Sequence, residues 1–201
     1  MFERRHPLQQ ELARGGRDGA DGRRTLRIAL VQGWHLTLLA AHGDDGAYRQ
    51  ALAPVLGAEP NRAPRDAQEI AQGVLFNTAP GQHWLVTPEM TLATAVAGAL
   101  PAHAGSCTVL SHSRVRVALS GAAAARVLAK GISVDLHPRA FGVGQFVQAG
   151  LHHSGVLLHR ADEERYELYL PRTFARSLWE WLADAALPHG YELSTEGAAA
   201  A

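Results

Sequence analysis

The sequence holds one cysteine, Cys107, one lysine, Lys130, and two methionines in 201 residues. One cysteine excludes an internal disulfide, and no Cys or His stands at metal-ligand spacing beside it. The thiol reads as a small core hydrophobe in a reducing compartment. An excess of either charge is missing: 19 Lys+Arg balance 19 Asp+Glu. That excludes a nucleic-acid binder working by bulk charge, because neutralising phosphates needs a basic surplus. Long apolar runs are missing as well. The longest, 91–100, stops at Pro101, about half the ~20 residues a membrane helix needs. Residues 1–25 carry charges throughout, without the apolar core of a secretory leader. The expectation is a cytoplasmic chain with neither membrane nor nucleic acid as its partner.

What is present suits a folded domain: 47% hydrophobic and 19% charged residues. Arginine supplies 18 of the 19 basic residues, and its planar fork suits carboxylate and partner recognition. Residues 1–25 and 194–201 read as loose tails; 13–24, rich in Gly, Arg and Asp, should be mobile. Between them, strands are expected over 27–31, 34–40, 74–77, 83–86, 107–111, 114–119, 145–150, 155–160 and 166–170. Gly33 marks a tight turn or bulge. Asp44 and Asp45 can cap a helix over 47–56, whose last turn Pro54 should kink or break. Further helices are expected over 91–100 and from Ser120, as cap, to Lys130. In the last helix Thr173 can cap, and Phe174, Leu178, Trp181, Leu182 and Ala185 share one face. This order of elements argues for an α+β fold, antiparallel sheets with helices on one face. The folded part, 26–193, reads as a single unit, with two related halves at 26–103 and 106–186 as the alternative division.

No catalytic constellation emerges. Eleven histidines are scattered, and the neighbours His152 and His153 near a strand end are poor joint ligands for one ion. Gly142-Val143-Gly144 precedes a strand, whereas a dinucleotide loop follows one and opens a helix. Ser120 lacks the Gly-x-Ser-x-Gly frame of a nucleophile elbow. Asp135, with His137 and Arg139, can pin a loop or form a polar site. Trp179 lies off the apolar helix face, between Arg176 and Glu180, as a partner anchor or a cover for a neighbouring loop.

Three segments carry a resemblance. They are Leu128-Ala129-Lys130-Gly131, Asp135-Leu136-His137-Pro138-Arg139-Ala140-Phe141, and Pro171-Arg172-Thr173-Phe174-Ala175 leading into Leu178-Trp179-x-Trp181-Leu182. With 114–186 around them, they resemble the gamma subunit of heterotetrameric sarcosine oxidase; a looser likeness reaches back to Leu26. The chain departs from that pattern near Val109 and His112, where the family often has an acid, and at Gly142 or Val143, where it has a proline. The resemblance implies a fold similar to part of the folate-binding aminomethyltransferase of glycine cleavage. It implies an accessory role in a complex that demethylates sarcosine to glycine, passes the one-carbon unit to tetrahydrofolate and yields hydrogen peroxide. FAD, FMN, NAD and tetrahydrofolate would be held by that complex, none by this chain alone. The partners implied are large alpha and beta flavin- or NAD-binding subunits and a small delta subunit. No catalytic, cofactor or metal residue is carried over. The candidate interface residues are Asp135, Arg139, Phe141, Arg172 and Trp179. A stand-alone folate-binding protein, with Asp135 facing the pterin, and a complex acting on another N-methyl amino acid are the alternatives.

Overall fold

A computed structural model describes residues 7–43 and 45–197. Its helices are α1 (Gln9–Leu12), α2 (Asp45–Leu56), α3 (Met90–Ala99), α4 (Ala124–Leu128) and α5 (Ala175–Ala186). Its strands are β1 (Leu26–Gln32), β2 (His35–Ala41), β3 (Gln68–Ile70), β4 (Gly73–Ala79), β5 (Gln82–Thr87), β6 (Gly105–Val109), β7 (Arg114–Ser120), β8 (Phe146–Leu151), β9 (Ser154–Asp162), β10 (Arg165–Pro171) and β11 (Tyr191–Gly197). The chain folds into two compact units. One takes the chain up to residue 31, then 113–143 and 147–196; the other takes 32–112 and 144–146. The α+β class with antiparallel sheets is as the sequence predicts.

The first unit is built on a six-stranded sheet in the order β11-β1-β7-β10-β9-β8. Period-two alternation sends Ile28 and Leu30, Val115, Val117 and Leu119, and Leu168 and Leu170 to one face. Val127 and Leu128 of α4 and Leu178 and Leu182 of α5 join them in one core. Each such side chain contributes about 1.5–3 kcal/mol when fully buried. The second unit has a five-stranded sheet, β3-β4-β5-β2-β6. Tyr48, Leu52 and Leu56 of α2 and Leu92 and Val96 of α3 pack with Leu39, Leu75 and Leu85 of that sheet.

Several local expectations change. The halves 26–103 and 106–186 do not match the division of the chain, because β1 pairs with β7 (Ile28 opposite Leu119) rather than with its sequence neighbour β2. Residues 7–25 pack against the chain's end. Leu8 is fully buried, and Arg17 and Tyr191 exchange backbone hydrogen bonds of 2.9 and 2.8 Å. The glycines that read as mobility permit this approach: a Cβ on Gly19 would lie 2.8 Å from Gly190 N. Residues 194–197 belong to β11, not to a tail.

Ser120 ends β7 and caps no helix, since α4 starts at Ala124. Helix α2 runs two residues past Pro54; of the two aspartates expected to cap it, Asp44 lies outside the described residues. A 3₁₀ turn, Arg172–Phe174, replaces the expected first turn of the last helix, and Thr173 makes no cap. The buried stripe of α5 becomes Ala175, Leu178, Trp179, Leu182 and Ala186. The tryptophans therefore trade places: Trp179 is 3% exposed, while Trp181 is only half-buried and Phe174 is 53% exposed.

Candidate functional site

The five interface candidates do not come together. Asp135 is exposed, and its Oδ1 accepts from the His137 backbone N–H at 2.9 Å, a local turn. The Arg139 backbone N–H donates to His137 Nδ1 at 3.2 Å, and the Arg139 side chain is exposed. Arg172 is exposed, with its backbone N–H bonded to the Ser113 carbonyl at 3.0 Å. Phe141 is fully buried, and its carbonyl accepts from Arg160 Nη1 at 2.7 Å. Phe141 and Trp179 sit in the chain's own core, so neither can anchor a partner without leaving it. Both readings as contact residues are corrected on that ground.

Two buried polar clusters went unread. In the first unit, Glu167 of β10 accepts from Arg116 Nε at 2.8 Å and Nη2 at 2.6 Å, from Tyr169 Oη at 3.3 Å, and from Arg165 at 3.2 Å. Arg165 reaches on to Glu196 of β11. Burial alone would raise the Glu167 carboxyl; the guanidiniums of Arg116 and Arg165, with His159, outweigh it and hold the group below its usual range. Burial drives the His159 imidazole down to about 4, keeping it neutral at pH 7. In the second unit, Tyr48 Oη and His83 Nδ1 are hydrogen-bonded at 3.0 Å, and His83 Nε2 bonds the Asn61 carbonyl at 2.9 Å. Burial raises the Tyr48 phenol and lowers the His83 imidazole. Because that carbonyl can only accept, His83 carries its proton on Nε2 and Tyr48 donates to Nδ1. Glu167 with its arginines and Tyr169, and Tyr48 with His83, satisfy one another, as buried polar atoms must. The one hydroxyl–imidazole pair, Tyr48 with His83, is buried, at 0% and 3% exposed, and is not presented to a substrate.

Cys107 is half-buried beside the second unit's core, and burial raises its thiol. Among the described residues no group of three or more His, Cys, Asp or Glu could hold a metal ion. No described helix is long and apolar enough to cross a membrane. Gly142-Val143-Gly144 precedes β8 and opens no helix.

The surface feature that stands out flanks α5. A groove of about 520 Å³ runs between that helix and the β8–β9 hairpin turn. Phe174, Trp181 and His152 supply aromatic walls; among the described residues Glu180 and Asp184 supply its only carboxylates, and no Lys or Arg lines it. The Trp181 indole sits directly over Gly131, where any Cβ would collide with it, and meets the His152 ring edge-on at 5.5 Å. His152 has φ 54°, the single non-glycine residue with positive φ among the described residues. That conformation costs on the order of 1 kcal/mol and is where a hairpin of this type favours glycine. One sign of the groove is present in the sequence, the pair of tryptophans two residues apart, of which Trp179 rather than Trp181 enters the core.

The sarcosine oxidase, gamma subunit family model matches residues 70–188. "Sarcosine oxidase subunit gamma" of Arthrobacter sp. is 35% identical over 185 residues, covering 89% of this chain and 86% of that one. Its namesake from Corynebacterium sp. (strain U-96) is 32% identical over 151 residues, covering 75% and 73%. Among solved structures, a chain of heterotetrameric sarcosine oxidase from Corynebacterium sp. U-96, in complex with pyrrole 2-carboxylate, superimposes with TM-score 0.81 at 28% identity, over 92% of this chain and 96% of that one. Glycine cleavage system aminomethyltransferase T from Bartonella henselae shares the fold, with TM-score 0.61 at 19% identity over 86% of this chain and 48% of that one. The loop and helix segments singled out in the sequence lie within the matched region, and the chain belongs to the sarcosine oxidase gamma subunit family.

Proposed function

We propose that this chain is the gamma subunit of a heterotetrameric sarcosine oxidase, and that it works by offering surface to larger subunits. In the reaction of that complex, sarcosine gives up one CH₂ unit to become glycine. The methyl carbon of sarcosine is oxidised by two electrons, which oxygen accepts to give hydrogen peroxide, and tetrahydrofolate would take up that carbon at the methylene level. FAD, FMN, NAD and the folate are held by other chains, an alpha and a beta subunit with a small delta subunit beside them. The observation that carries this reading is the near-complete superposition on one chain of a heterotetrameric oxidase.

The chain's own residues agree with it. Its buried charges are engaged with each other. A folate site of its own would need a carboxylate facing the pterin, and Asp135 does not fit: it is exposed and committed to its own loop. A stable subunit interface of about 2,000 Å² or more needs a few anchors rather than reacting groups.

The test is oxygen uptake with sarcosine. Complex assembled with this chain should consume oxygen, and the purified chain alone should not. Turnover by the isolated chain would end the proposal.

A further inference from the structure

We infer that the groove between α5 and the β8–β9 turn is the docking site for an arginine-bearing segment of a partner subunit. The inference rests on the subunit reading above and names its surface. Three observations on the groove define the occupant. Its walls are largely apolar, with Phe174 more than half exposed in the free chain; an exposed aromatic of that size beside a second one marks an interaction site. Among the described residues its permanent charge has one sign: Glu180 and Asp184 line it with His152 and His153 and without a Lys or Arg. Aromatic faces beside carboxylates suit a guanidinium, which stacks on a ring and bonds a carboxylate at once.

The carboxylates are available for that role. Glu180 is paired only with Arg176, at 3.1 Å on an exposed helix surface, an arrangement weak enough to exchange. Asp184 pairs with no cation among the described residues. It stands in the last turn of α5, where the helix dipole disfavours an anion. The dipole therefore does not explain its presence; Arg14 and Arg17 share its lining only on the other side of the helix, and a cationic partner would complement it on this side. Glu180 and Asp184 also border the groove on the other side of α5, but there Arg14 and Arg17 stand with them and Glu11, so that groove has no single sign to offer.

Trp181 gives the site a fixed floor. It is clamped between Gly131 and the strained His152 turn, so little side-chain entropy remains to be lost on binding.

The test uses the tagged full chain co-expressed with the remaining subunits of the oxidase, reading the partner retained through gel filtration. Wild type and Val109→Ala, which alters an exposed valine on β6, should retain partner fully. Asp184→Arg and Phe174→Ala should each lower retention roughly tenfold. The melting temperature of the Asp184→Arg chain should be unchanged or higher, since the arginine now complements the dipole; a purely structural role for Asp184 would lower it. Full retention by both variants overturns the site while leaving the subunit reading intact. Failure of wild type to retain any partner overturns the subunit reading and the site with it. A photoreactive p-benzoylphenylalanine in place of Phe174 should yield an adduct to a partner peptide containing arginine. An adduct to a peptide without arginine, or no adduct in an assembled complex, overturns the occupant.

Discussion

At the scale of single residues, the fold depends on polar atoms that satisfy one another out of water. Tyr48 donates to His83 Nδ1 in the second unit. Tyr48→Phe keeps the ring and its packing but leaves that nitrogen without its partner. Urea unfolding should show a loss of about 1–3 kcal/mol; an unchanged midpoint would mean the hydroxyl is idle. His159 couples the first unit to pH. Its imidazole takes a proton near 6.5 in the unfolded chain and at about 4 in the folded one. Between those values the unfolded chain binds more protons, so stability falls as pH drops through the window. The full effect is on the order of 3 kcal/mol. Glu167 acts lower: its carboxyl is depressed in the fold, so its contribution is complete above the ordinary range and disappears as pH falls through the folded value. His159→Met should flatten the stability profile between pH 6.5 and 4 by as much as one proton, leaving the steeper acid limb below it. A profile identical to wild type would contradict the burial assigned to this imidazole.

At the scale of elements, strand patterning was legible both where apolar residues alternate, as in β7, and where both faces are buried, as in β9 and β10. The alternation of Val115, Val117 and Leu119 gave β7, and 155–160 and 166–170 correspond to β9 and β10. Boundaries set by turn chemistry were not. Ser120 has cap chemistry but ends a strand, and Pro54 interrupts nothing in α2. The α5 stripe slipped because two stripes share Leu178 and Leu182; a preceding 3₁₀ turn decides between them, and no periodicity reveals it. That slip hid Phe174 and Trp181, the residues on which the docking surface depends. The N-terminal segment was hidden differently: glycine permits both disorder and close backbone packing, and composition cannot separate the two. Gly19→Val would press a side chain on the backbone of Gly190. Limited proteolysis should then cut within 13–24 at least several-fold faster than in wild type, because local opening frees the segment. An equal rate would mean that the segment is not held there.

At the scale of the whole molecule, the α+β class was readable from the order of elements, but the division into two units was not. It is fixed by the long-range pairing of β1 with β7, which no local signal encodes. The buried polar groups that patterning does not reveal, Glu167 with Arg116 and Tyr48 with His83, serve the fold. The chain belongs to the sarcosine oxidase gamma subunit family and superimposes on one chain of a heterotetrameric oxidase, and the proposed docking surface rests on that reading. The most direct measurement is the mass, by light scattering, of the oxidase formed on co-expression with this chain. The account expects one copy of the 21.5 kDa chain in each four-chain particle. An active oxidase that forms without it, while this chain elutes alone at its own mass, would contradict the account.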